Sequence, residues 1–395
     1  MEIPKFYLRQ TVPLTLQDLL FLPRLFMRRN RFTANLVESK LSDKIGIKYS
    51  VLCSSMRLGL LKSLEYYKNK FPEKNEVLLP EYSFYSNLEA VLKLGLKVKY
   101  VPVERKTLEI DLRRLPSYIN INTLAVIITH IHGFAYPMDK LVKIVGKNNT
   151  LLFEDCAHVF GENFGNKKLG SFGIGCFSFG PGKNMTCFGG GAVCTNDKKL
   201  YAELKEIQTP KKGLLEDLKT FAMTVVYVLI SHPIISYFSM KPLLKIVDSL
   251  GIKKEKHQLG EIQRTIPKTL NSPYPFQITL LNYELSHIYK RINIILTQRR
   301  KIADIYRRFF STDRSDNQGN FNFQFPLSVA DKKIFISKAR LVNLDVQEDY
   351  CDYLPNLYKA DIRHPNYGPY KNIVYLPVNY FLSESKLRSI LAKIF

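Results

Sequence analysis

With 395 residues, 46% of them hydrophobic and 24% charged, the chain is far above the size at which burial becomes marginal, which excludes a disordered or fibrous protein and points to two domains. Six cysteines without a CxxC pair, five of them inside apolar or glycine-rich runs, argue for a reduced, cytosolic protein, and no bound metal is expected. The formal net charge of +23 calls for an anionic partner, but without a helix-turn-helix, zinc-finger or RNP-type motif that partner is not expected to be nucleic acid.

The first residues, MEIPKFYLRQTVPLTLQ, hold Glu2 and no uninterrupted apolar stretch, so a secretory signal is not expected. Next comes LTLQDLLFLPRLFMRRNRF, apolar and basic, with Arg24, Arg28, Arg29 and Arg31; residues 1–44 are therefore expected to form an amphipathic arm suited to anionic lipid.

From about residue 45 to 200, helical patterns alternate with short apolar runs rich in β-branched residues, the pattern of a mostly parallel sheet covered by helices. Strands are predicted at 77–80, 98–103, 123–130, 150–155, 175–179 and 191–195. Helices are predicted at 55–68, 86–95 and 138–146, the first ending before Asn69 and the others running into Gly95 and Gly146. A large domain is placed at 45–212.

Residues 213–268 fit neither domain. Within them Thr220 to Met240 is a run of twenty-one residues without a formal charge, flanked by Lys211, Lys212 and Lys219 on one side and Lys241 and Lys245 on the other. Its length would suit a membrane crossing, but His232-Pro233 interrupts it, and proline favours two short segments lying on one leaflet. A single crossing would also put the two domains on opposite sides. The expectation is a peripheral or monotopic contact with an anionic membrane surface, on the cytoplasmic face; burial in a dimer interface or against the large domain is the alternative. From 269 to 395 a long amphipathic helix, LNYELSHIYKRINIILTQRRKIADIYRRFF, a mixed segment and a last helix with Ser383 as N-cap describe a smaller α+β domain.

The chemistry concentrates between Leu151 and Asn196. Asp155 and His158 follow one predicted strand, Ser178 closes the next, and Lys183 lies in the glycine-rich turn beyond. In an open parallel sheet these positions converge outside the carboxyl ends of the strands. A carboxylate and a lysine brought together there suit pyridoxal phosphate (PLP), which needs an amine for its aldehyde and an acid at its pyridine nitrogen. Gly180, Gly182, Gly189, Gly190 and Gly191 would let the backbone approach the ring. Taken alone, the same residues also read as a helix cap and a solvated loop lysine. A phosphate-binding P-loop is excluded, because Phe177 stands where its first glycine belongs and Asn184 where Ser or Thr is required.

The runs EDCAHVFG, KKLGSFGIGCFSF, GKNM and GGGAVCTND, with CSSMRLGLL, LPEYSFYSN, THIHGFAYPMD and QRRKIADIYRRFF in order around them, resemble the DegT/StrS family of fold-type I aminotransferases, strongly over about 45–200 and weakly over 275–395. The resemblance implies an α/β fold-type I PLP-dependent transferase, active as a homodimer, that transfers an amino group from glutamate to a nucleotide-linked keto sugar in amino-sugar or cell-surface polysaccharide biosynthesis. It implies that Lys183 carries the cofactor as a Schiff base and shuttles the proton, and that Asp155 pairs with the pyridinium. His158 would lie near the ring hydroxyl, and Phe84 would stack on the ring. Ser54, Ser55 and Ser178 would bind the phosphate, and His130 would be a substrate-side residue at a strand end. The dehydratase relatives carry histidine in place of this lysine, so Lys183 argues for transamination. Pro275 and Gln277 stand where the family has an Asn and an Arg that reach the neighbouring subunit. Two alternatives follow, a PLP aminotransferase acting on a lipid-linked or other ketone, and a non-catalytic PLP-binding scaffold.

Overall fold

The computed structural model describes residues 3–104, 108–146, 149–249, 269–310, 323–348, 350–358, 370 and 372–394. Helices α1 (Leu22–Met27) and α2 (Ala34–Ile45) precede β1 (Tyr49–Cys53). They are followed by α3 (Met56–Lys70), β2 (Glu76–Pro80), α4 (Ser86–Lys93), β3 (Lys97–Val101), β4 (Thr123–Thr129), α5 (Met138–Gly146), β5 (Leu151–Asp155), β6 (Ile174–Ser178), β7 (Gly191–Thr195) and α6 (Lys198–Glu206). The seven strands form one sheet in the order β1-β7-β6-β5-β4-β2-β3. Strands β2 to β6 pair in parallel, and β7 runs antiparallel to β6 and β1.

The alternation of side chains explains how short apolar runs cover two faces. Val51, Val77, Leu79 and Ile127 pack under α3 and α4 with Leu58, Leu61 and Leu88. Their neighbours Leu52, Leu78, Val126 and Ile128 pack on the other face with Leu41 of α2 and Leu141 of α5. Strands β2 and β4 are buried at every position, as expected for a sheet covered on both sides. Helix α3 runs to Lys70, two residues past the predicted end before Asn69, because the amide of Phe71 still bonds the carbonyl of Tyr67.

Beyond the sheet come α7 (Leu214–Ser231), α8 (Pro233–Phe238) and α9 (Met240–Ser249); the remainder of the predicted insertion, from 250 to 268, lies outside the described residues. The predicted long helix begins earlier than expected, as α10 (Pro275–Tyr283), and continues through a π-helical turn, Glu284–Ile288, into α11 (Tyr289–Phe309). The turn aims the buried Glu284 carboxylate at the Thr186 amide, 2.7 Å away and three residues beyond Lys183.

The chain ends with β8 (Gln324–Ser328), α12 (Lys332–Leu341), β9 (Gln347–Glu348), β10 (Ile373–Pro377) and α13 (Glu384–Ile394). Strand β10 pairs antiparallel with β8 and β9. The Ser383 hydroxyl accepts the Lys386 amide at 3.3 Å and so caps α13. Part of the N-terminal arm is core: Phe6, Tyr7, Val12 and Leu14 are buried, and exposed apolar surface on the arm is concentrated at Leu16, Leu20, Phe21 and Met27.

Candidate active site

One edge of the large sheet collects the polar ends of its strands. Asp155 closes β5 opposite Thr129, the last residue of β4. Ser178 closes β6 and Cys53 closes β1, and both face Gly191 at the start of β7. Ser54 and Ser55 therefore emerge beside Ser178. The Ser55 hydroxyl accepts the Leu58 amide at 3.3 Å and caps α3, while Ser54 is held by backbone bonds to Asn271 and Gly190. Both serines are half-buried, as is Ser178, whose hydroxyl lies 3.5 Å from the Gly180 amide.

Asp155 is only 3% exposed. Its carboxylate accepts from the Asn87 side chain at 2.9 Å, the Ala157 amide at 3.1 Å and, at the limit of bonding, the Thr129 hydroxyl at 3.5 Å. Burial pushes this carboxyl above its usual range, while the bonds from Asn87 and Ala157 and the Lys183 charge oppose the rise.

Lys183 lies in the turn after β6, with Nζ 3.5 Å from the Tyr350 hydroxyl and 4.9 Å from the centre of the Phe323 ring. Part of the side chain is still accessible, yet desolvation lowers the ammonium to about 8, with Asp155 opposing the shift. The His158 ring stacks on Phe323 with centroids 4.0 Å apart and planes 9° apart, and it shares a 2.8 Å hydrogen bond with the Tyr350 hydroxyl. Burial holds the imidazole well below its usual range, so it is neutral. Phe84 packs on Tyr350, centroids 5.9 Å apart.

His130 is not drawn into this group. Its ring is fully buried against Tyr136 and 3.4 Å from the Glu154 carboxylate, which in turn accepts the amides of Gly170, Phe172 and Gly173. That is the packed, hydrogen-bonded histidine of a strand end.

Two of the glycines also make room within the protein. A Cβ on Gly191 would fall 2.3 Å from the Met56 amide nitrogen, and one on Gly189 would fall 2.5 Å from Gln277 Nε2. Gly191 thus makes room for the start of α3, and Gly189 for the start of α10. Pro275 and Gln277 likewise have a local task. Proline fits the first turn of α10, the Gln277 side chain accepts the Tyr274 amide at 3.0 Å, and Asp217 of α7 accepts the Phe276 amide at 2.9 Å.

The sequence does not single out several residues at this edge. Asn87 and Thr129 lie inside the runs LPEYSFYSN and THIHGFAYPMD, and an asparagine beside an aromatic run is the signal available there. Tyr350 and Phe323 carry none, since they arrive from the C-terminal domain. Arg299 of α11 is another case: buried, it donates to the Asn184 side chain, which itself donates to the carbonyls of His158 and Phe160. This chain of bonds ties the long helix to the residue next to Lys183.

The donor set suits PLP. A desolvated amine, a carboxylate held by two N–H donors, an aromatic side chain and serines at a helix N-terminus are the groups its aldehyde, pyridine nitrogen, ring and phosphate require. Buried polar atoms also stand without a partner among the described residues, namely Asn87 Oδ1 and His158 Nδ1.

Residues 29–222 match the DegT/DnrJ/EryC1/StrS aminotransferase family. The UDP-N-acetyl-3-dehydro-alpha-D-glucosamine 3-aminotransferase of Acidithiobacillus ferrooxidans is 30% identical over 174 residues, which are 44% of this chain and 47% of that protein. The chain thus spans about half the length of the curated relatives it matches. Among solved structures, Helicobacter pylori PseC, an aminotransferase involved in the biosynthesis of pseudoaminic acid, aligns with a TM-score of 0.70 at 18% identity, covering 99% of this chain and 98% of that one. An E. coli GDP-4-keto-6-deoxy-D-mannose-3-dehydratase with bound hydrated PLP aligns with a TM-score of 0.73 at 16% identity, covering 99% and 100%. At such identities the two structures speak for the fold. Over residues 29–222, just under half of its length, the chain is similar to the DegT/DnrJ/EryC1/StrS aminotransferase family.

Proposed function

We propose that the protein is a PLP-dependent aminotransferase that moves an amino group from glutamate to a nucleotide-linked keto sugar, and that it works as a homodimer. The observation that carries this reading is the meeting of Lys183, Asp155 and His158 at one desolvated strand edge, with Ser54, Ser55 and Ser178 beside them. Bound there, the cofactor would supply an electron sink for the carbon losing its proton.

The chain's own residues have separable tasks in this reading. Asp155 keeps the pyridine nitrogen protonated, and Asn87 and the Ala157 amide hold its carboxylate in place. His158, neutral and stacked on Phe323, would lie beside the cofactor's ring hydroxyl. The serines and the α3 N-terminus take the phosphate. Lys183 binds the cofactor and then moves the proton, a task suited to an amine lowered to about 8. Tyr350, bonded to His158 and in reach of Lys183, would orient the amine beside the cofactor site.

The lysine shift has a sign that can be measured. Only the neutral amine attacks an aldehyde, so PLP capture by the cofactor-free protein should rise with pH and level off above about 8, rather than near the ordinary 10.5. Stopped-flow absorbance across pH 6 to 10 reads this midpoint; a rate still climbing at pH 10 would contradict it.

The reading places the catalytic body in residues 45–212 and 269–395. Exposed parts of residues 1–44 and 213–249 then provide a peripheral or monotopic seat on the cytoplasmic face of an anionic membrane. That location is also what favours a second substrate class, a lipid-linked ketone. Purified protein incubated with glutamate and a panel of nucleotide keto sugars should yield 2-oxoglutarate and an aminated sugar. Turnover on lipid-linked ketones alone would transfer the assignment to that class, and no 2-oxoglutarate from any substrate would leave a PLP-binding scaffold.

A further inference from the structure

Helix α7 turns a polar stripe inward. Asp217, Thr220, Thr224 and Ser231 recur at helical spacing on the face buried against the protein, with Val228 as the buried apolar residue among them. Asp217 accepts the Phe276 amide and pairs with Arg29 at 3.2 Å, and the Ser231 hydroxyl accepts the Val12 amide at 3.2 Å. Thr220 and Thr224 bond carbonyls one turn back. The outward face is mainly apolar: Leu214, Leu215, Leu218 and Val226 are 55%, 65%, 46% and 52% exposed, with Lys219 exposed among them. A helix facing water does the opposite, since leaving leucine and valine in solvent while turning threonine inward forfeits the hydrophobic driving force.

The exposed apolar surface continues on both sides. After an 89° bend at His232-Pro233, Phe238 and Ile246 are 67% and 54% exposed. Helix α1 joins α7 through the edge-on pair Phe26–Phe221, centroids 5.3 Å apart, and adds exposed Phe21 and Met27. Arg24, Arg28, Arg31 and Lys245 are exposed on these same elements.

We propose that the outward face of α7, with α8, α9 and α1, is a monotopic seat in an anionic phospholipid leaflet, its apolar side chains at the acyl boundary and its arginines and lysines at the headgroups. This rests on the membrane location proposed above and assigns the surface that makes the contact. Charge favours lipid over a second copy of the chain. A two-fold interface sets a patch against itself and would bring these cations together, whereas phosphate headgroups neutralise them. Among the described residues no single helix is long and apolar enough to cross a membrane, and the bonds from α7 to Val12 and Phe276 keep that helix lying on the protein.

The test uses the full chain in vesicle flotation, with phosphatidylserine/phosphatidylcholine vesicles against phosphatidylcholine alone. The variants are Leu215→Glu/Leu218→Glu/Val226→Glu, Phe238→Glu/Ile246→Glu beyond the bend, and Leu341→Glu, a 78% exposed leucine elsewhere, as control. Wild type and the control should float with the anionic vesicles, and each multiple variant should lose at least tenfold in binding with unchanged mass by light scattering. Thermal unfolding and PLP capture at Lys183 should match wild type, because the changed side chains face outward. If wild type floats with neither vesicle, the membrane location itself falls. If wild type and both multiple variants float alike, the location stands and this surface is wrong. A variant that changes oligomeric mass but not vesicle binding would show that a second copy covers the face, overturning the proposal.

Discussion

Lys183→Ala should abolish transamination while leaving the protein at least as stable as wild type. The alanine offers no amine to hold the cofactor and no base to move the proton, losses that together amount to on the order of 10³ to 10⁴ or more in turnover. Stability should not fall, because burial disfavours the charged lysine and lowers it from 10.5 to about 8. The sign follows from linkage: a depressed lysine burdens the folded state fully below about pH 8, and the burden fades between there and 10.5. Alanine removes that cost at neutral pH. The checks are turnover, thermal unfolding, and borohydride reduction of the wild-type holoenzyme followed by peptide mapping. Reduced cofactor on a lysine other than Lys183 would reject the assignment, and a steep loss of stability in the variant would make Lys183 structural.

Asp155→Asn should cost about a thousandfold in turnover, against less than twofold for Asp139→Asn. A carboxylate paired with a pyridinium in a desolvated site is worth several kcal/mol, even at an effective dielectric near 20, and roughly 1.4 kcal/mol is a factor of ten in rate. The amide cannot keep the pyridine nitrogen protonated. It also turns an NH₂ group towards one of the two donors, Asn87 or the Ala157 amide, that now bond the carboxylate, so a modest drop in unfolding temperature is expected. Asp139 is exposed in the first turn of α5, where its charge favours the helix N-terminus by at most about 1 kcal/mol. Equal, mild losses in the two variants would show that Asp155 only supports the strand edge.

Much of the site could be read from the chain because its parts lie within one continuous stretch. Strand β5 ends in Asp155, β6 in Ser178, and five residues later comes Lys183; each is a local statement about an apolar run and the residue that stops it. What completes the site arrives from far away: Tyr350 and Phe323 bring aromatic rings from the C-terminal domain, and Arg299 reaches Asn184 from α11. No periodicity marks such residues, since their role depends on which surfaces meet. His130 shows another side of this. A histidine at a strand end is legible, but the direction of its ring, towards Tyr136 and Glu154, is set by packing.

By itself the sequence determined the strands, the helices between them and the chemical groups at their ends, because burial on two faces demands continuous apolar runs and reversals demand glycine or proline. It also disclosed the uncharged run from Thr220 to Met240 with its proline break. Tertiary structure alone decided which way that run faces. An apolar stretch interrupted by threonine and serine is consistent with either face turned inward, and the bonds that Asp217, just before the run, and Ser231 within it make to distant amides turn one polar stripe to the protein and leave Met223, Val226 and Phe238 exposed. It also decided that Gly189 and Gly191 admit helix starts, because a clash between a Cβ and a distant segment exists only once the two have been brought together.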